Sequence, residues 1–100
     1  MTDLKHKLAE KLNLETAMAP WHELQIFFAQ GLVLHVKETL DLLVVAEELT
    51  LDNSKQFQVW LSNGDVEKVS VKNASLWFEA DTKLWTVVIK PWVLVQEDIN

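Results

Sequence analysis

The sequence predicts an α+β domain in which helices pack on a small sheet of about three strands, in the order α-α-β-α-α-β-α-β. Apolar residues recur at helical spacing in five segments, whereas in three short segments they alternate or cluster as in strands. With 100 residues, 49% of them hydrophobic, the chain is long enough to bury one core. We therefore expect a single domain spanning residues 1–100.

Two helices are predicted first, over residues 3–18 and 21–30. An apolar stripe at i, i+4 and i+8 supports the first helix: Leu4, Leu8 and Leu12. Proline suits the first turn of a helix, so Pro20 separates the two, and Gly31 suits a left-handed end to the second.

A strand and a central helix follow. Residues 32–36 alternate as a strand does, and Thr39 is a candidate N-cap for the next helix. The face of that helix is apolar at i, i+3, i+4 and i+7: Leu42, Val45, Ala46 and Leu49.

The fourth helix is predicted to begin at Asp52 or Asn53, to bury Phe57, Trp60 and Leu61, and to end at Asn63-Gly64. Beyond it we expect a strand over 65–71 and a helix over 73–82 burying Leu76, Trp77 and Ala80. Residues 84–96 then read as one strand, or as two pieces meeting at Pro91, because proline cannot donate to a sheet ladder.

Composition excludes several chemistries. The chain has no cysteine, no tyrosine and no arginine, and its formal net charge is −6. Disulfides, thiolate sites and bidentate guanidinium recognition are therefore impossible, and the charge disfavours nucleic acid and anionic membranes. With no apolar run near ~20 residues and a charged N-terminus, we expect a cytoplasmic protein without a membrane partner.

Residues 41–64 resemble a helix-turn-helix, with Lys55, Gln56 and Gln58 offered to a groove. The alternative is two helices packed against each other. Four acidic residues and one lysine give the segment a local charge of −3, which favours packing over DNA binding.

The few histidines define the other candidates. His22, Glu23 and His35 could form a pocket, and His6 with Glu10 could contribute to a metal site, although no metal-ligand spacing occurs. We expect no cofactor and no metal. The tryptophans are predicted to be core residues at positions 21, 60, 77 and 85, and partly exposed at Trp92.

Several phrases resemble a family of uncharacterised bacterial proteins of about this length, classed as a domain of unknown function. They are Asn13-Leu-Glu-Thr-Ala17, Pro20-Trp-His-Glu-Leu-Gln-Ile-Phe-Phe-Ala-Gln-Gly31, Lys68-Val-Ser70, and Leu84-Trp through Pro91-Trp-Val-Leu-Val-Gln96. The resemblance implies a free-standing bacterial cytosolic protein, with no activity, cofactor or catalytic residue to transfer.

Three functions are compatible with these observations. The first is a non-enzymatic interaction or structural protein that forms a homodimer, because a strand carrying Pro91 should lie partly at a sheet edge and expose Trp92 or Leu94. The second is a small-molecule binder or enzyme that uses His22, Glu23 or His35 in a tryptophan-lined pocket. The third is a nucleic-acid regulator through residues 41–64.

Overall fold

The computed structural model describes residues 2–98, with side chains from residue 7 onward. Within that range there are five helices and five strands. The helices are α1 (Thr2–Glu15), α2 (Trp21–Ala29), α3 (Leu42–Thr50), α4 (Ser54–Asn63) and α5 (Val71–Ala80). The strands are β1 (Ala17–Pro20), β2 (Val33–Val36), β3 (Val66–Lys68), β4 (Lys83–Ile89) and β5 (Trp92–Glu97). The α+β class is confirmed, with two strands more than predicted.

The five strands form one sheet in the order β1-β4-β5-β2-β3. Neighbours are antiparallel, except that β2 and β5 run parallel, with Val33 beside Val93 and His35 beside Val95. The carboxyl ends of β2 and β5 therefore meet at the same end of the sheet.

Helices cover both faces of the sheet. Because alternate residues of each strand point to opposite sides, the strands contribute side chains to two separate cores. One core lies under α1, α3 and α4, and its buried residues are Leu12, Leu34, Val36, Leu42, Val45, Ala46, Trp60, Val66, Val87 and Leu94. The other lies under α2 and α5, and its buried residues are Trp21, Leu24, Val33, Val69, Ala74, Trp77, Leu84, Val93 and Val95. His35 points to the α5 side, where its ring meets that of Trp77.

Local signals for helix ends are largely confirmed. Gly31 and Gly64 adopt φ values of +74° and +79°, the left-handed region that glycine tolerates best, and Asn53 accepts a hydrogen bond from the Gln56 N–H. The predicted cap at Thr39 is wrong. Asp41 caps α3 instead, accepting from the Leu43 N–H at 2.9 Å, while the Thr39 hydroxyl donates to Asp65.

The first helix is shorter than predicted, because α1 ends at Glu15. Residues 17–20 instead form an edge strand that pairs with β4, in which Met18 lies opposite Trp85. Trp85 lies on β4, beside the edge strand β1, and is 39% exposed, so its assignment to the core is wrong. The side chain of Leu4 lies outside the described residues.

Helix α5 buries only part of the predicted face. Trp77 is buried as predicted, together with Ala74, whereas Leu76 and Ala80 are exposed. On α4, Trp60 is buried as predicted, but Leu61 is 39% exposed.

The C-terminal segment forms two antiparallel strands joined at Lys90-Pro91. Pro91 therefore occupies a turn, and β5 lies inside the sheet between β4 and β2. Leu94 is fully buried within one chain, while Trp92 is half-buried against the core on the α3 side. The predicted edge position of this strand and the exposure of Leu94 are wrong, because Pro91 lies in the turn and needs no ladder position, whereas the partial exposure predicted for Trp92 is confirmed.

Candidate functional site

A polar cleft opens where β2 and β5 end. It has a volume of about 460 Å³ and is lined by residues 35–39, Asp65, Asn73, Gln96 and Glu97. Four parts of the fold supply these residues: the segment leaving β2, the start of β3, the first turn of α5 and the end of β5. We refer to this set as the polar cleft.

Hydrogen bonds hold the walls of the cleft together. The Gln96 amide nitrogen donates to the carbonyl oxygens of Lys37 and Leu40, at 2.9 and 2.7 Å. The Lys37 N–H donates to the Asp65 carbonyl at 2.8 Å, and the Thr39 hydroxyl donates to Oδ1 of Asp65 at 3.0 Å. The loop after β2 is thus fixed to both neighbouring strands, so the cleft is pre-formed.

His35 lines the polar cleft and is 3% exposed. Its Nε2 lies 3.3 Å from Oε1 of Glu97, and its ring stands edge-on to Trp77 with 5.1 Å between centroids. Nδ1 is buried and has no hydrogen-bond partner among the described residues. With the proton on Nε2 facing the carboxylate, Nδ1 carries a lone pair that no described residue satisfies.

Burial and a nearby cation keep His35 neutral. Desolvation lowers the pKa of His35 below 6.5, and the positive charge of Lys37 lowers it further, against the opposing effect of Glu97. At neutral pH the ring is therefore an uncharged group with one unused acceptor.

Carboxylates dominate the charge of the polar cleft. Glu38, Asp65 and Glu97 face one lysine, giving the lining a formal charge of −2. The Lys37 ammonium is itself engaged, with Nζ 2.7 Å from Oε1 of Glu67. The potential inside the cleft is consequently negative.

The structure separates the predicted pocket residues. His22 lies at the start of α2 with an exposed side chain, its Nδ1 3.6 Å from Oδ1 of Asp81 and its Nε2 3.3 Å from the Phe78 carbonyl. Glu23 is exposed on the same helix, and neither residue lines the polar cleft. Of the three candidates, only His35 does.

A tryptophan does line a second cavity, of about 310 Å³, between the α3–α4 turn and the β4–β5 turn. Its apolar residues are Leu49, Phe57, Leu61 and Trp92. None of His22, Glu23 and His35 lines this cavity.

The remaining candidates have structural roles or lie elsewhere. In the predicted helix-turn-helix, Val45, Ala46 and Trp60 pack into the core beneath α3 and α4. No group of three or more histidine or acidic residues in the described part of the chain could hold a metal ion, and His6 lies outside the described side chains. No helix in residues 2–98 is long and apolar enough to cross a membrane.

Sequence reasoning missed four residues that line the cleft with His35: Asp65, Asn73, Gln96 and Glu97. Each is an ordinary surface residue in its own segment. Only the parallel pairing of β2 with β5 and the position of α5 bring them together.

The chain belongs to the family described as "Protein of unknown function (DUF2288)", whose model matches residues 7–97, so the resemblance seen in the sequence is confirmed. No curated protein matches the chain. A Pseudomonas aeruginosa protein with a solution structure determined by NMR is 45% identical, with a TM-score of 0.80 over 94% of this chain and 87% of that one.

Proposed function

We propose that this protein binds a small polar molecule in the polar cleft without chemical conversion. The observation that carries the proposal is the unsatisfied Nδ1 of His35, a residue 3% exposed. A buried acceptor without a partner costs about 1–3 kcal/mol, which a donor group on a ligand would recover. An apolar residue would serve packing better at this position, so its polarity favours a role in binding.

The place and size of the cleft support this proposal. In open sheets with parallel strands, ligands bind beyond the carboxyl ends of the strands, which is where β2 and β5 form the cleft. Its volume of about 460 Å³ lies within the ~300–1,000 Å³ range of small-molecule sites.

Amide chemical-shift mapping with a library of polar metabolites tests the proposal. We expect hits to move the amide signals of residues 35–39 and 96–97 together. The second cavity is an internal control, because Phe57 and Trp92 should respond to apolar compounds alone. A library that shifts only signals around that cavity, or none at all, would refute the polar cleft as a binding site.

A second candidate function is self-association into a homodimer. The observation that favours it is the Met18–Trp85 pair at the free margin of the sheet, 36% and 39% exposed on the outermost strand β1 and its neighbour. A two-fold axis would let two such margins cover each other. In this hypothesis the exposed Met18–Trp85 pair forms the dimer interface, instead of the predicted Trp92 and Leu94.

Light scattering after size exclusion measures the dimer directly. Trp85→Asp should give a monomer at several micromolar, while Ile26→Asp, a change at another exposed apolar residue on α2, should not. A monomeric wild-type mass would remove this hypothesis.

We also propose a cytoplasmic location, which the lack of cysteine supports, and the absence of a nucleic-acid partner, which the lack of arginine and the net charge of −6 support. A different protein partner is likewise a proposal.

A further inference from the structure

We infer that the ligand of the polar cleft is a compact organic cation, an ammonium or guanidinium compound. The inference rests on the proposed binding function and specifies its ligand class. It follows from which hydrogen-bonding atoms the cleft has left unused, and from the sign of its charge.

Several acceptor atoms of the cleft are unused. Both hydrogens of the Gln96 amide go to backbone carbonyls, so the remaining polar atom of that side chain is its oxygen. His35 offers the lone pair of Nδ1. Asp65 and Glu97 each receive one donor and, as carboxylates, can accept several. A ligand rich in N–H donors matches this set.

The one cationic group in the lining and the N–H of Asn73 at the start of α5 are already engaged. Lys37 is paired with Glu67 at 2.7 Å, and the Asn73 N–H at the start of α5 is occupied by the Ser70 hydroxyl oxygen at 3.1 Å. Three carboxylates line the cleft, so an anion would meet repulsion where a cation meets attraction. Of the two charged ligand classes, the cation is the one the cleft accommodates.

Titration of the full ¹⁵N-labelled chain with matched probes tests the inference. The probes are methylguanidinium and propylammonium as cations, propionate and inorganic phosphate as anions, and propanol as a neutral molecule. We expect the cations alone to shift the amides of residues 35–39 and 96–97 saturably. Glu97→Gln should weaken their binding about tenfold or more, because a charge-assisted contact is lost.

Glu23→Gln is the matched control, since it makes the same charge change at an exposed residue outside the cleft and should leave cation binding unchanged. Cation binding that Glu97→Gln does not weaken would overturn the cation inference. Binding of propionate, phosphate or propanol in the cleft without the cations would overturn it too, while leaving the proposed binding function intact. If no probe and no metabolite shifts the cleft amides, both the inference and the proposed function fail.

Discussion

Replacing His35 with leucine should make the protein at least as stable while abolishing binding in the polar cleft. His35 is buried to 97%, the complement of its 3% exposure, and one of its ring nitrogens has no partner. A buried histidine with a structural role would give the opposite result, because removing a buried polar side chain whose hydrogen bonds are all satisfied usually destabilises a fold. The substitution therefore separates a binding role from a structural one.

The magnitude follows from the contacts that change. Removing the unsatisfied Nδ1 should recover about 1–3 kcal/mol. Losing the contact with Glu97 should cost about 0.2–1 kcal/mol, because that carboxylate is 52% exposed and screened by water. The lost edge-on contact with Trp77, about 0.5–1.5 kcal/mol, is offset by burial of the leucine side chain. The sum is a gain on the order of 1 kcal/mol.

Urea unfolding of both proteins measures this gain. His22→Leu is the control, because the same change at an exposed side chain should alter the free energy of unfolding by less than ~0.5 kcal/mol. A loss of more than ~1 kcal/mol for His35→Leu would show that the histidine supports the fold, and the reasoning from its unused nitrogen would be refuted.

Three other predictions follow from the structure. Because burial lowers the pKa of His35 below 6.5, the unfolded chain binds a proton more readily, so the stability contributed by the neutral ring is present above pH 6.5 and lost as pH falls below it. Wild type should lose more stability than His35→Leu between about pH 7.5 and 5.5 in urea unfolding, and equal losses would contradict this. Trp60→Ala, at 7% exposure, should cost about 3–5 kcal/mol and Leu61→Ala, at 39% exposure, less than ~1 kcal/mol; similar costs would mean that α4 packs differently. Residues 41–64 should select no DNA consensus from random duplexes at physiological salt, and a site bound at ~10⁻⁸ M or tighter would show the opposite.

Short-range signals predicted the helix ends well. Asn53, Gly31 and Gly64 act within a turn of their own positions, so their conformations depend on local chemistry alone. The strand at residues 17–20 escaped prediction for the converse reason. Ala17-Met-Ala-Pro20 contains no β-branched residue, and its extended form is stabilised by pairing with β4, which is distant in the sequence.

The position of β5 could not be predicted because strand order is a property of the whole chain. Pro91 indicated an irregularity correctly, but both an edge and a turn can accommodate a residue without an N–H. Because β5 pairs with β4 on one side and with β2 on the other, it is not an edge strand, and Pro91 lies in the turn before it. Leu94 was thereby moved from a predicted interface into the core.

The site was predictable only in part for the same reason. His35 is one of three pocket candidates that residue type alone suggests. Glu97, its partner at 3.3 Å, has no such signal in its own segment, and the two meet only because β2 and β5 are parallel neighbours. His22 and Glu23 had equally suggestive residue types, but α2 places them elsewhere.

Native mass spectrometry after dialysis against a bacterial metabolite extract tests the central claim most directly, because it requires no prior choice of ligand. Wild type should retain a low-mass compound small enough for a cavity of about 460 Å³, and the folded His35→Leu variant should not. Wild type with nothing bound, or a compound retained equally by both proteins, would contradict the assignment of the polar cleft as the binding site.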